Sequence, residues 1–493
     1  MRAPPAYVKT LLSGITVSGA AMVALGVVNY FTRRVLALSL SDQWYGFFYS
    51  AFALITLIRL LLDLGLNQAA LVLVARHDAT ADRAGAAATL RLLLAIKCAT
   101  SLAAAAALAM ASEPVLQNFF NVEGAAVPFG LLTASILPLA AAAMLANAFS
   151  ALRDFAARNM LLFIQGGGVF LFVFFGSSRL GVTAPALGYL VASTSVCLGA
   201  LAYLATRHGL PLFAPGSPSM HRLGEVWRFS RWAALSVTGI SLMNQCDSLM
   251  LTRLGGLTEV ARYNIALPIL QIFLVLLIAG QVLAPLATRL WERGEREAIQ
   301  RLFTTATRIL LLGAGLVAAV TLLGSRTLIR LLFSAEHVQA SPVLTVFGAG
   351  AVFILLSQLM VGLLNATGDQ KRAGCLVLWG VLGNIAANLL FILWLGAAGA
   401  ALATVSTHAV LAGIAMLMLR DPVGLHFPVG DLAWVGGATA LVTALGLSEA
   451  AAGLQTAPVF LPAAGAILYL VLVLPLVKRT LQDAWRAPLE HRE

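Results

Sequence analysis

The chain is a succession of apolar runs, each closed by a short polar break. The first six runs lie near residues 10–32, 44–75, 86–111, 125–150, 158–176 and 184–205. Six more follow near 232–254, 262–289, 306–324, 341–366, 374–395 and 398–419, and two near 432–447 and 458–477. A hydrocarbon core of about 30 Å is crossed by roughly 20 residues of α-helix. The pattern therefore predicts an all-α polytopic membrane protein of about fourteen transmembrane helices, arranged as two lobes of six plus two C-terminal helices.

Between the sixth and seventh runs lies the most Pro-rich segment, with PLFAPGSPS from Pro211 to Ser219. Chain breakers at that density forbid a continuous helix. The expected division is an N-terminal lobe at 1–206, a cytoplasmic linker at 207–231, a C-terminal lobe at 232–420, and two helices with a basic tail at 421–493. Sliding the chain by about 215 residues aligns WYGFFYSAFAL from Trp44 with VARYNIALPIL from Val260, and SALRDFAAR from Ser150 with NATGDQKRA from Asn365. Six crossings separate the copies, so they share an orientation. Such parallel repeats relate by an axis along the membrane normal and are expected to enclose a central cavity.

Composition agrees with the pattern. Of 493 residues 60% are hydrophobic and 11% charged, with mean hydropathy +0.90, whereas a soluble domain is about 25% charged. The net charge of +11 does not mark a nucleic-acid binder, because the basic residues occupy the polar breaks rather than one face. With a cytoplasmic N-terminus, roughly three-quarters of Lys and Arg fall on the cytoplasmic side, so both termini are expected there. The run 10–32 is too long for a signal-peptide core and reads as a retained anchor. Cys98, Cys197, Cys246 and Cys375 all fall in apolar runs, a spacing that builds neither a disulfide framework nor a metal site.

A charge at membrane depth costs at least about 2.5 kcal/mol, so the few present single themselves out. Arg59 and Asp63 stand four apart, on one face of a continuous helix. Either they neutralise each other, or Arg59 meets an anionic diphosphate while Asp63 holds its rotamer. Lys97 reads as a snorkelling side chain near the cytoplasmic end of its helix. Asp247 lacks an evident local partner and is a proton or cation site, or is bonded across its lobe. His408 reads as an interhelical hydrogen-bonding residue.

Asn29, Asn147, Gln165, Asn244, Gln245, Gln271, Gln281, Asn384 and Asn388 are amides within runs, where interhelical hydrogen bonding is the ordinary use. Asn29, Gln271, Asn384 and Asn388 are in addition expected to line a hydrated path for a hydroxyl-rich saccharide. Pro138, Pro268 and Pro285 interrupt helical bonding and supply bends. There is no GxxxxGK[ST] phosphate loop, metal-ligand cluster or nucleophile motif. The expectation is a transporter rather than an enzyme, without cofactor or metal, and without nucleic acid as partner.

Three stretches carry a resemblance: DLGLNQAALVLVAR from Asp63, DSLMLTRLGGLTEVARYNIALPI from Asp247, and the region from Leu363 to Thr404. They resemble the O-antigen or repeat-unit flippases, the polysaccharide transporter branch of the multidrug, oligosaccharidyl-lipid and polysaccharide (MOP) exporter superfamily. The likeness covers nearly the whole chain. Arg262 departs from it, standing where the family usually has glycine. The resemblance implies a polyprenyl-diphosphate-linked oligosaccharide substrate, namely an O-antigen, capsule or exopolysaccharide repeat unit. It implies alternating access in a bacterial inner membrane, often driven by an ion gradient, with Arg59 meeting the diphosphate and Asp247 or Asp63 coupling ions. A polysaccharide polymerase and export machinery are the partners implied, besides membrane lipids. A cation-coupled multidrug antiporter remains an alternative, since Asp63 would supply the N-terminal carboxylate that the run 10–32 lacks. So does a peptidoglycan lipid-precursor flippase of the same superfamily. A membrane glycosyltransferase would show larger outer loops than these short breaks.

Overall fold

The computed structural model describes residues 6–63, 65–210, 212, 239, 241–243, 245–273, 286–451 and 460–486. Most of the expected linker, together with Asn244, Gln281 and Pro285, lies outside them. All regular structure among the described residues is helical, and nine stretches there are long and apolar enough to cross a membrane. Their outward side chains suit hydrocarbon: Leu171, Phe174, Phe175, Trp379, Leu393 and Trp394 are exposed, a surface that water would penalise.

The chain forms two compact units, Met1–Ala261 and Arg262–Glu493. The first contains α1 (Ala6–Ser39), α2 (Asp42–Leu61), α3 (Leu66–Ala79), α4 (Arg83–Met110), α5 (Ala126–Ala134), α6 (Ile136–Ala151), α7 (Phe155–Leu180) and α8 (Thr183–Thr206). Helices α3, α4, α6 and α8 share one apolar core, with Ala69, Leu73, Leu90, Leu93, Leu145 and Ala200 buried in it. Helical residues 245–254 also belong to this unit. Thr252 there shares a hydrogen bond with Ser50 of α2. A Cβ at Gly46 would sit 1.9 Å from the Leu257 carbonyl oxygen, so only glycine admits this approach.

Helix α9 (Leu257–Phe273) crosses the boundary between the units. The second unit continues with α10 (Arg296–Leu332), α11 (Ser341–Ala366), α12 (Gln370–Val423), α13 (Val429–Ala451) and α14 (Phe460–Arg486). Helix α11 packs along α10 and α12. Helices α13 and α14 close on α10 through Leu311, Val435, Val442, Tyr469 and Val473. A buried phenol needs a hydrogen-bond partner. Tyr469 finds one by donating to the Leu312 carbonyl at 2.9 Å.

The internal repeat has a geometric signature. Arg153 (φ 59°) and Gly368 (φ 85°) both turn the chain left-handed. Asp154 and Asp369 follow them and cap the next helix, accepting from the N–H of Ala157 and Arg372. Farther on, Gly181 has φ 55°, ψ −134° and Gly396 has φ 56°, ψ −129°, a conformation open essentially to glycine alone. Each pair is separated by 215 residues. Hence α7 and α8 correspond to the two arms of α12, which meet at Gly396. A Cβ at Gly399 would lie 2.0 Å from the Phe391 carbonyl oxygen, so the second arm can start so close only with glycine there.

Two expected runs are broken. The run 44–75 is not one helix: α2 ends at Leu61 and α3 starts at Leu66, with Gly65 at φ 77° as its N-cap. The intervening turn closes through Asp63 N–H to Leu60 O at 3.2 Å and Leu66 N–H to Asp63 O at 2.7 Å. The run 125–150 divides at Ser135 into α5 and α6. Pro138 has no N–H to offer the preceding turn, and the Ser135 hydroxyl bonds back to the Leu132 carbonyl at 2.6 Å.

Candidate functional site

Three charges gather at the break between α2 and α3. Arg59 stands in the last turn of α2, Asp63 in the break, and Lys97 in α4. Asp63 and Lys97 form an ion pair whose side chains are 14% and 3% exposed. The expectation that Lys97 snorkels to the interface is therefore overturned. Fourteen residues separate it from the start of α4 at Arg83, about 21 Å at 1.5 Å per residue. Its ammonium takes a carboxylate at that depth instead of reaching for water.

The reading of Arg59 and Asp63 as neighbours on one helical face is corrected too. Asp63 lies beyond the end of α2 and gives its carboxylate to Lys97. Arg59 Nη2 instead donates to the Leu139 carbonyl oxygen at 3.0 Å, in the first turn of α6. Arg59 Nε is buried with no hydrogen-bond partner among the described residues. So are the hydroxyl oxygens of Thr56, one turn earlier, and of Thr133 in α5. Arg59 lies within electrostatic range of both Asp63 and Lys97. Among the described residues two cations thus share one carboxylate, which leaves one positive charge in surplus. Guanidinium and ammonium donors around an unfilled charge suit phosphate oxygens.

The other expected site residues are scattered. Asn29 in α1 and Gln271 in α9 are exposed. Asn384 and Asn388 of α12 are buried, and Asn388 Nδ2 donates to Asn384 Oδ1 at 3.0 Å. Of the four amides, these are the two that share a hydrogen bond. Asp247 is 2% exposed and interacts with other groups of the protein, which is compatible with the reading in which it is bonded across its lobe. His408 bonds Ser357 through Nδ1 and Oγ at 2.6 Å, joining α11 to the second arm of α12, and Gln165 donates to Ser193 at 3.0 Å between α7 and α8. Among the described residues no group of three His, Cys, Asp or Glu side chains could hold a metal.

Two features escaped the sequence reading. Arg308 of α10 and Asp431 of α13 form a buried pair, Nε to Oδ2 2.5 Å, with side chains 8% and 10% exposed. Both stand at the edges of apolar runs, where a charge looks like a loop residue. At the helix start outside the spans, Asp154 accepts from Ala157 N–H at 2.9 Å, His208 Nε2 at 3.0 Å and Tyr203 Oη at 3.3 Å. Burial raises its carboxyl, but these donors outweigh burial and hold it below the usual carboxylate range.

Comparison with known proteins bears on what such a fold does. A family model described as polysaccharide biosynthesis protein matches residues 11–291, and a second, MatE, matches 233–390. A curated relative, the uncharacterized membrane protein MJ1068 of Methanocaldococcus jannaschii, is 25% identical over 228 residues. That match spans 45% of this chain and 44% of the relative, less than half of either. Among solved structures, a lipid II flippase MurJ in an inward closed conformation superposes with a TM-score of 0.76 at 13% identity, covering 94% of this chain and 99% of that one. An inward-facing multidrug resistance MATE family transporter reaches 0.67 at 15% identity over 81% and 94%. A MOP superfamily transporter from Pyrococcus furiosus reaches 0.60 at 16% identity over 84% and 96%. At these identities the likeness is one of fold, and the family match, which takes in more than half of the residues, identifies the chain as a polytopic membrane protein of the polysaccharide biosynthesis protein family, within the MOP exporter superfamily.

Proposed function

We propose that the protein flips a polyprenyl-diphosphate-linked oligosaccharide, an O-antigen, capsule or exopolysaccharide repeat unit, across a bacterial inner membrane by alternating access. The observation that carries this reading is the surplus positive charge at Arg59, whose Nε is buried without a partner among the described residues. A diphosphate brings the missing negative charge and acceptor oxygens, while the prenyl chain stays in lipid. Asn29 and Gln271 offer amides to sugar hydroxyls, and the pair Asn384 and Asn388 stiffens α12. The lobes at 1–206 and 232–420 move against each other, and both termini face the cytoplasm. Direction follows from the difference in substrate affinity between the two states, with Asp247 and Asp63 as ion-coupling carboxylates. The flipped unit then passes to a polymerase and export machinery.

The MatE match over 233–390 favours a second reading, a cation-coupled drug antiporter, and a peptidoglycan-precursor flippase shares the headgroup chemistry. Deleting the gene and probing extracted glycans with an impermeant periplasmic reagent separates them. Complete lipid-linked repeat units should accumulate facing the cytoplasm, and wild type but not Arg59→Ala should clear them. Normal glycan export with altered sensitivity to cationic drugs would sink the proposal in favour of the antiporter. Accumulation of peptidoglycan precursor alone would move it to the other flippase.

A further inference from the structure

We infer that Lys97 is a second diphosphate-binding cation, held in reserve by Asp63, and that Asp63 sets how much negative charge the site accepts. This rests on the proposed reading of Arg59 as a headgroup anchor. A buried ion pair is often architecture alone, because its partners satisfy each other. The Asp63 and Lys97 pair is not self-contained in that way. A third charge, Arg59, lies within electrostatic range of both members and bonds a backbone carbonyl rather than the carboxylate. The carboxylate also stands outside the helical ladders, in a four-residue break that ends at left-handed Gly65. Helix α4, by contrast, is continuous around Lys97. The cation stands within a continuous helix, and its counterion stands in the turn between two helices.

Charge counting gives this arrangement a direction. Arg59, Lys97 and Asp63 together carry one positive charge, which a singly charged phosphodiester neutralises without disturbing the pair. A diphosphate diester carries two negative charges and needs both cations, so Lys97 must leave Asp63 for a phosphate oxygen. Asp63 then faces the bound anion as a like charge and weakens its hold. That weakening favours release, because a tighter hold lengthens the residence of the headgroup in the site. Asp63 is thus a positioning residue that acts through Lys97, and Lys97 touches the headgroup.

The test uses full-length protein in nanodiscs with the terminal methyl ester of farnesyl diphosphate, a doubly charged diester, as probe and farnesyl methyl phosphate, a singly charged phosphodiester, as comparison. Asp63→Asn should bind the diphosphate more tightly than wild type. The double variant Asp63→Asn, Lys97→Met carries the wild-type net charge at the site, yet should bind the diphosphate about tenfold more weakly, the loss of one charge-assisted hydrogen bond. Its affinity for farnesyl methyl phosphate should stay near wild type. Because the double variant removes both members of the ion pair and strands neither, it reports on binding even if Lys97→Met alone fails to fold. Wild-type affinity for the diphosphate in the double variant would overturn the inference and leave the pair structural, with Arg59 untouched. Failure of wild type to bind the diphosphate, or full binding by Arg59→Ala, would overturn the underlying reading and this inference with it.

Discussion

Each unit packs an arginine among its helices, Arg59 half-buried in the last turn of α2 and Arg308 buried within α10, and the two arginines are treated in opposite ways. In the second unit Arg308 meets Asp431 at 2.5 Å, tying α10 to α13, and cation and carboxylate balance. In the first, Arg59 bonds a backbone carbonyl while the nearby carboxylate is held by Lys97. The second unit's remaining buried polar contacts described above are neutral: the amide pair of Asn384 and Asn388 and the bond between His408 and Ser357. A balanced buried pair serves packing, since removing half of it strands the other half. An unbalanced charge at membrane depth costs free energy at rest, and what it binds is the reason to retain it. The difference separates a fastening from a site.

The comparison can be broken at several strengths. Arg59→Met should abolish glycan export while the purified protein melts at the same temperature as wild type or higher, because an unbalanced charge has been removed. A large fall in melting temperature would make Arg59 a structural residue like Arg308. Arg308→Met should instead cost about 3–5 kcal/mol, read as a lower denaturation midpoint, and adding Asp431→Leu should restore most of it. If the double change restores nothing, the pair is more than a fastening.

Smaller effects sharpen the same contrast outside the charged sites. Asp154→Ala removes a helix cap worth about 1 kcal/mol. The Asp154 carboxyl is held low in the folded protein, so its contribution is complete above the ordinary value of about 3.9 and is lost as pH falls through the lower folded value. Amide protection of the turn at 152–154 should therefore persist from neutral pH down to about pH 4; loss of protection already near pH 6 would contradict this. Ser357→Ala should cost about 1 kcal/mol and leave export intact, as expected of a neutral bond between α11 and α12.

Most of the architecture was legible in the pattern of apolar runs, because a membrane span leaves a long and unambiguous signal. The repeat was legible as well, and its sharpest marks are single residues: Arg153 against Gly368, Asp154 against Asp369, Gly181 against Gly396. The break at 62–65 was hidden because Leu62, Leu64 and Leu66 keep the hydropathy of a continuous helix across it. Gly65 after Asp63 was the available signal, an acidic residue and a left-handed glycine placed like a helix start. The pairing of Lys97 was hidden for a related reason. Counted along the chain, a long side chain near a polar break looks able to reach water, and only the carboxylate at its own depth shows otherwise. No sequence spacing pairs Asp63 with Lys97, since 34 residues separate them and a turn sets their approach.

The most direct test is equilibrium binding of labelled farnesyl diphosphate to the wild-type protein, to Arg59→Met, and to the balanced double variant Arg308→Met with Asp431→Leu. If the unbalanced charge is the headgroup site, Arg59→Met loses binding and the double variant keeps it. Equal binding by all three would contradict the central claim and return Arg59 to the role of a buried structural charge.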